Sequence, residues 1–253
     1  MELSIEKIQK VIDELFDVAV LQLNEKIINA FIPFGGITEI PSDQFQTLAF
    51  DDELAELVDY LREYSVLLNQ FISNPKQKTR LLAQMYCRVM ENDYQYLIIY
   101  NVLLLLNNSN PDWEFKTIRN GKPFYCENPT SKIDEICSLC KSNKLEIGTV
   151  LKNILKADLR NSYYHSQYTI SPDGSFVNTR FYSPTSQIKP AKKVYKPNEI
   201  ESLYIFAESF FDNFFKRFFA ERKKFKDGKE YKLFDRKKIS WEVNSHRWLV
   251  YNK

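Results

Sequence analysis

The sequence predicts a mainly α-helical protein, a bundle of helices with a β-hairpin late in the chain and a small β element at the C-terminus. Three observations carry this. Apolar residues recur at three- and four-residue spacing through most of the chain before His165, the mark of helices that bury one face. The stretch from Tyr94 to Leu106 is apolar on nearly every side, as a central helix is. After His165 the pattern changes to β-branched and aromatic residues around turn signals, which reads as short strands.

Each element follows from its residues. Ser4 caps a first helix whose buried stripe is Ile8, Val11, Ile12, Leu15, Val18, Ala19 and Leu23, and which ends by Pro33. A loop with Pro33, Gly35, Gly36 and Pro41 leads to a second helix from about Asp51 to Ile72. Pro75 starts a third, read as continuous from about Lys76 to Asn107. Residues 107–130, rich in Asn, Pro and Gly, form a long excursion with a short strand around Phe115 to Ile118. Ser131 and Asp134 give a capping-box-like start to a short helix, and another helix begins near Leu145 and runs directly into Arg160 to His165. Tyr168-Thr-Ile170 and Phe176 to Tyr182 flank Ser171-Pro-Asp-Gly174, the sequence of a hairpin. After a loop marked by Pro184, Pro190 and Pro197, a phenylalanine-rich helix runs from Asn198 to about Phe225. Strands are expected at Ile239 to Val243 and Trp248 to Tyr251. The resulting division is a helical domain over 1–228 and a β extension over 229–253.

With 253 residues and 44% hydrophobic content, the chain can bury a sizeable core. No apolar run is long enough for a membrane span, and the N-terminus lacks the basic start and apolar core of an export signal, so a cytoplasmic protein is expected. Four irregularly spaced cysteines make no disulfide framework, and Cys137-Ser-Leu-Cys140 lacks the second ligand pair of a zinc site. No metal or cofactor is expected. Net charge is +2 but uneven: residues 1–72 hold 14 acids and 4 bases, residues 216–253 hold 13 bases and 5 acids. A basic tail with Lys223 and Lys224 is a candidate contact for a phosphate backbone, or it packs against the acidic N-terminal part.

The informative cluster is Leu159-Arg160-Asn161-Ser162-Tyr163-Tyr164-His165. The chain has only two histidines, so an arginine followed by asparagine and, four residues later, histidine arises by chance in roughly one such chain in two hundred. Arg160-Asn161 through His165, with Tyr168 to Gly174 behind it, resembles the HEPN superfamily. The resemblance covers about residues 145–225 and implies a helical bundle, commonly dimeric, that cleaves RNA without metal in toxin–antitoxin, abortive-infection or other defence systems. It implies an RNA substrate, a homodimer with a composite active site, and an antitoxin or defence-system partner. Some members of the superfamily have lost catalysis, which leaves a catalytically silent module that binds RNA or a partner protein as the alternative.

The residue types suit the chemistry. RNA carries its own nucleophile, the 2′-hydroxyl, so cleavage needs proton acceptance, proton donation and charge stabilisation at phosphorus. His165 is the candidate acid–base group, because imidazole titrates near neutrality. Arg160 is the candidate phosphate clamp, and Asn161 orients the imidazole or binds phosphate. Tyr164 shares a face with Arg160 and is a candidate to stack on a base. On a regular helix Asn161 and His165 lie about 40° apart but Arg160 and His165 about 140° apart. Two chains around a two-fold axis, or a distorted helix, would reconcile them. Read structurally instead, Arg160 pairs with a surface acid such as Asp158 and His165 is a half-buried, satisfied side chain.

Overall fold

The structure, a computed structural model, describes residues 3–31, 49–70, 73–181, 191–225, 229–232, 238–242 and 247–251. It is mainly helical with small antiparallel sheets. The helices are α1 (Ile5–Leu23), α2 (Ile28–Phe31), α3 (Ala49–Gln70), α4 (Pro75–Met90), α5 (Asp93–Leu106), α6 (Pro129–Asn143), α7 (Ile147–Ile154), α8 (Ala157–Tyr164) and α9 (Pro197–Arg222), with a 3₁₀ turn at Asn24–Ile27. The strands are β1 (Lys116–Arg119), β2 (Lys122–Tyr125), β3 (Tyr168–Ile170), β4 (Val177–Phe181), β5 (Ala191–Tyr195), β6 (Glu230–Lys232), β7 (Lys238–Glu242) and β8 (Arg247–Tyr251). None of the described helices is long and apolar enough to cross a membrane. The proline- and glycine-containing loop after Phe31, the Val243 end of the expected strand, and His246 lie outside the described residues.

The core forms where α9 packs along α1 and α4 and α5 runs beneath α1, α2 and α6. Its centre is aromatic: Phe16 and Phe31 meet Phe214 and Phe218, and Tyr94 at the start of α5 meets Phe215 and Phe218. Phe210, Phe211, Phe214, Phe215 and Phe218 are all buried within one chain. Most of the apolar surface of this helix is thus buried in the chain's own core, while Ile205 and Phe219 stay exposed.

Two helices expected to be continuous are broken. The apolar pattern runs through residues 76–107, but α4 ends at Met90 and α5 begins at Asp93. Asn92 is the cause, since its side chain accepts the Gln95 N–H and competes with helix propagation. Side chains of α5 bond the carbonyls at the end of α4: Tyr96 Oη donates to that of Met90 at 2.9 Å, and Gln95 Nε2 to that of Val89 at 3.3 Å, beside the Asn92 N–H. The second break separates α7 from α8 at Leu155 and Lys156. Here the staple comes from α4, where buried Tyr86 donates to the Ile154 carbonyl at 3.0 Å and accepts the Lys156 N–H at 2.7 Å. The start of α6 also differs from expectation, because Asn128 rather than Ser131 is the cap and Ser131 closes the box from the third helical position.

The excursion is a β1–β2 hairpin, tied down by the two residues that interrupt the apolar run of α5. Tyr100 Oη donates to the Lys116 carbonyl, and buried Asn101 accepts the Asp112 N–H at 2.6 Å. Its turn is Asn120-Gly121, both at positive φ, so Arg119-Asn120, which echoes the motif start, is turn sequence. The expected hairpin after His165 forms as β3–β4, and β5 adds a third strand from a stretch read as loop. Gly174 takes positive φ at its turn and sits against the start of α4, where a Cβ would come within 2.6 Å of the Lys76 nitrogen. At the C-terminus β6, β7 and β8 form a separate antiparallel sheet.

Candidate active site

The candidate residues sit on α8, a short helix that packs on α4, β3 and β4. Only Leu159 and Ser162 of its residues are buried, so its polar side chains stand at the surface of the fold. It is held at both ends. The Tyr86 staple fixes its entry, and Tyr195 on β5 donates to the Asp158 carboxylate at 2.8 Å. Its exit is a Schellman turn: Gln167 N–H bonds the Ser162 carbonyl at 2.7 Å and Ser166 N–H that of Tyr163 at 3.1 Å. Ser166 takes the left-handed position at φ 54°. The chain reverses there into β3, leaving exposed His165 as the cap residue between helix and turn.

Arg160 does not pair with Asp158, which is engaged by Tyr195. Its Nε donates to Oε1 of Glu91, the cap residue at the end of α4. Nη1 donates to Asn161 Oδ1 at 2.7 Å, and the guanidinium lies over the Tyr164 ring, 5.0 Å from its centroid. Such stacking and forked bonding hold arginine in one orientation. The long arginine side chain bends toward Asn161, which shares its helix face with His165. Both charged side chains keep an opening to solvent, with 20% of Arg160 and 24% of Glu91 exposed, so the remaining N–H groups of the fork can meet a ligand.

The electrostatics follow from these contacts. Burial lowers the tendency of Arg160 to stay charged, and the hydrogen bond and charge of Glu91 outweigh it, so its guanidinium is held more firmly protonated than usual. Burial raises Tyr164 to about 12, with Glu91 adding to the effect, so its hydroxyl stays neutral at physiological pH. Burial also pushes the Cys87 thiol well up, which makes it an inert packing group beside the pair. Tyr163 stacks on Tyr168, with centroids 5.6 Å apart, and turns its edge to Tyr164.

The basic tail is placed elsewhere. Lys224 pairs with Glu221 at 2.5 Å and lines a small cleft with Glu25 and Lys229, which pair with each other, while Lys223 is an exposed cap residue of α9. A larger cleft of about 810 Å³ lies along α1, lined by Glu6, Lys10, Asp13, Glu14 and Asp17, with Asp13 and Asp17 paired to Arg217 of α9. Cys137 and Cys140 carry free thiols, and among the described residues no three His, Cys, Asp or Glu side chains converge as metal ligands would.

The sequence did not single out Tyr86, and it left Glu91 either as a carboxylate supplied to the cleft or, the favoured reading, as part of a solvated helix face. The signal for Glu91 was the Asn92-Asp93 cap just after it, which ends α4 there. Lys156 and Lys193 were also missed. Burial, and then the Lys193 charge, lower the affinity of the Lys156 amine for its proton; Lys156 Nζ bonds the Asn153 carbonyl at 2.8 Å and Lys193 lies over the Tyr195 ring. Compared with known protein families, curated proteins and solved structures, the chain matches none.

Proposed function

We propose that the chain is a metal-independent endoribonuclease of the HEPN type that cleaves RNA by attack of the 2′-hydroxyl on the adjacent phosphorus. The observation that carries this is the Arg160–Asn161 bond, which fixes the guanidinium on the short helix that ends at exposed His165. Arg160 stabilises the charge that accumulates on the phosphoryl oxygens, Asn161 fixes the fork, and His165 transfers a proton. Tyr164 braces the guanidinium and presents a ring edge to a base. The resemblance ties this chemistry to a growth-arresting toxin or phage defence, acting in the cytoplasm and held in check by an antitoxin or defence partner. Lys223 and Lys224 of the basic tail contact the phosphate backbone, and Lys156 at the start of α8 and Lys193 on β5 add two further ammonium groups.

Purified protein is incubated with RNA in EDTA. Cleavage is expected to persist, and His165→Ala is expected to lower it about 10²–10⁴-fold. Absence of cleavage, or an unchanged rate in the variant, rejects the reading. One observation favours a second reading, a catalytically silent module that binds RNA or a partner protein: Glu91 already neutralises the Arg160 guanidinium. That reading predicts binding without cleavage.

A further inference from the structure

Metal-free cleavage of RNA needs two proton-transfer groups, one to accept the 2′-hydroxyl proton and one to protonate the departing 5′-oxygen. Each chain brings one motif histidine. In a composite dimer the second group is the partner's copy of that histidine. The structure offers another within the same chain. Resting on the reading of the site as a ribonuclease, we propose that Glu91 is the general base of the reaction, so that one chain carries a complete acid–base pair.

The geometry is that of a shared arginine. Glu91 takes the Nε side of the Arg160 fork and Asn161 the Nη1 end, leaving the other N–H groups for a phosphate oxygen. A phosphate bound there shares one guanidinium with the Glu91 carboxylate. Glu91 is also held in place. It caps α4 through its own N–H bonds to the Cys87 and Arg88 carbonyls, and the Asn92 turn keeps the helix from extending past it. The groups around it are Arg160 and Tyr164 from α8, Cys87 and Arg88 from α4, and Asp93 and Tyr96 from α5. Of these, Cys87, Tyr96 and Tyr164 are held neutral by burial, and the Asp93 carboxylate is paired with Lys132.

The step balances. The Glu91 carboxylate takes the 2′-hydroxyl proton as the 2′-oxygen bonds to phosphorus. The bond from phosphorus to the 5′-oxygen breaks, and the 5′-oxygen takes a proton from the His165 imidazolium. The products are a 2′,3′-cyclic phosphate and a 5′-hydroxyl. His165 ends neutral and Glu91 protonated, and exchange with water resets both.

The test is the pH dependence of RNA cleavage in EDTA by the wild type, Glu91→Gln and Glu91→Asp, with the melting transition of each recorded. A reaction that uses a general base has a rate limb that falls toward acid, and the wild type is expected to show it. Glu91→Gln keeps a hydrogen-bond acceptor for Arg160, and is expected to lose about 10²–10³-fold in kcat with KM within a few-fold, and to lose the acid limb. Glu91→Asp is expected to retain the limb at a reduced rate. A Glu91→Gln enzyme that cleaves at the wild-type rate, or slows while keeping the acid limb, overturns the inference and leaves Glu91 as a group that only positions Arg160. If Glu91→Gln does not fold, a Glu91→Asp profile without the limb overturns it equally. A wild type that cleaves no RNA strikes the reading of the site itself, and so is distinguishable from failure of this step alone.

Discussion

The two helix breaks that build the site are made in different ways. At Glu91 and Asn92 the chain stops α4 with local means, because Asn92 caps the next helix and Gln95 and Tyr96, a turn further on, bond the last carbonyls of α4. At Leu155 and Lys156 no side chain caps the start of α8. The backbone there is satisfied by Tyr86, remote in sequence, which bridges both sides of the break with one hydroxyl. A local break survives changes elsewhere. A remote one makes the position of α8, and so of Arg160 and His165, depend on how α4 sits in the core.

Removing the remote staple is expected to have the largest effect. Tyr86→Phe keeps the ring in its buried place but leaves the buried Ile154 carbonyl without a partner, at roughly 1–3 kcal/mol, and the half-buried Lys156 N–H without one, at about 1 kcal/mol. A total loss of about 2–4 kcal/mol by denaturant unfolding is expected, with RNA cleavage reduced beyond what the lost stability explains. A loss below about 1 kcal/mol would mean that α8 is held by Tyr195 and the hairpin instead. Asn92→Ala removes the local cap and is expected to cost about 1 kcal/mol, because the bonds from Gln95 and Tyr96 remain. If it costs as much as Tyr86→Phe, the contrast between local and remote breaks fails.

The same contrast explains what was legible in the sequence. The stripes of α1 and α9, the Ser4 cap and the Ser171-Pro-Asp-Gly174 turn depend on neighbours a few residues away, and each appears where its residues place it. Arg160, Asn161 and His165 were legible as a spacing. That Arg160 bends to Asn161 and pairs with Glu91 was not, because Glu91 reaches it through the packing of α4 against α8. Apolar periodicity also hid both breaks, since a helix that stops and restarts with its buried face preserved keeps the same stripe. Asn120-Gly121 was legible and passed over, although an Asn-Gly pair between short extended runs is a strong hairpin signal.

The exit of α8 offers the smallest change, and it separates backbone cost from side-chain role. Ser166 occupies the left-handed position of the Schellman turn, where glycine is the usual residue and a side chain costs roughly 1 kcal/mol. Glycine also adds freedom to the unfolded chain, which offsets part of the gain. Ser166→Gly is therefore expected to stabilise the protein by about 0.5–1 kcal/mol, read as a raised denaturation midpoint at unchanged slope. Its consequence for activity discriminates. Where the turn serves only to end the helix, cleavage is unchanged as stability rises. Where it holds His165 beside Asn161, a looser glycine turn lowers kcat while the protein becomes harder to unfold, and the strain at Ser166 then belongs to the site rather than to the fold.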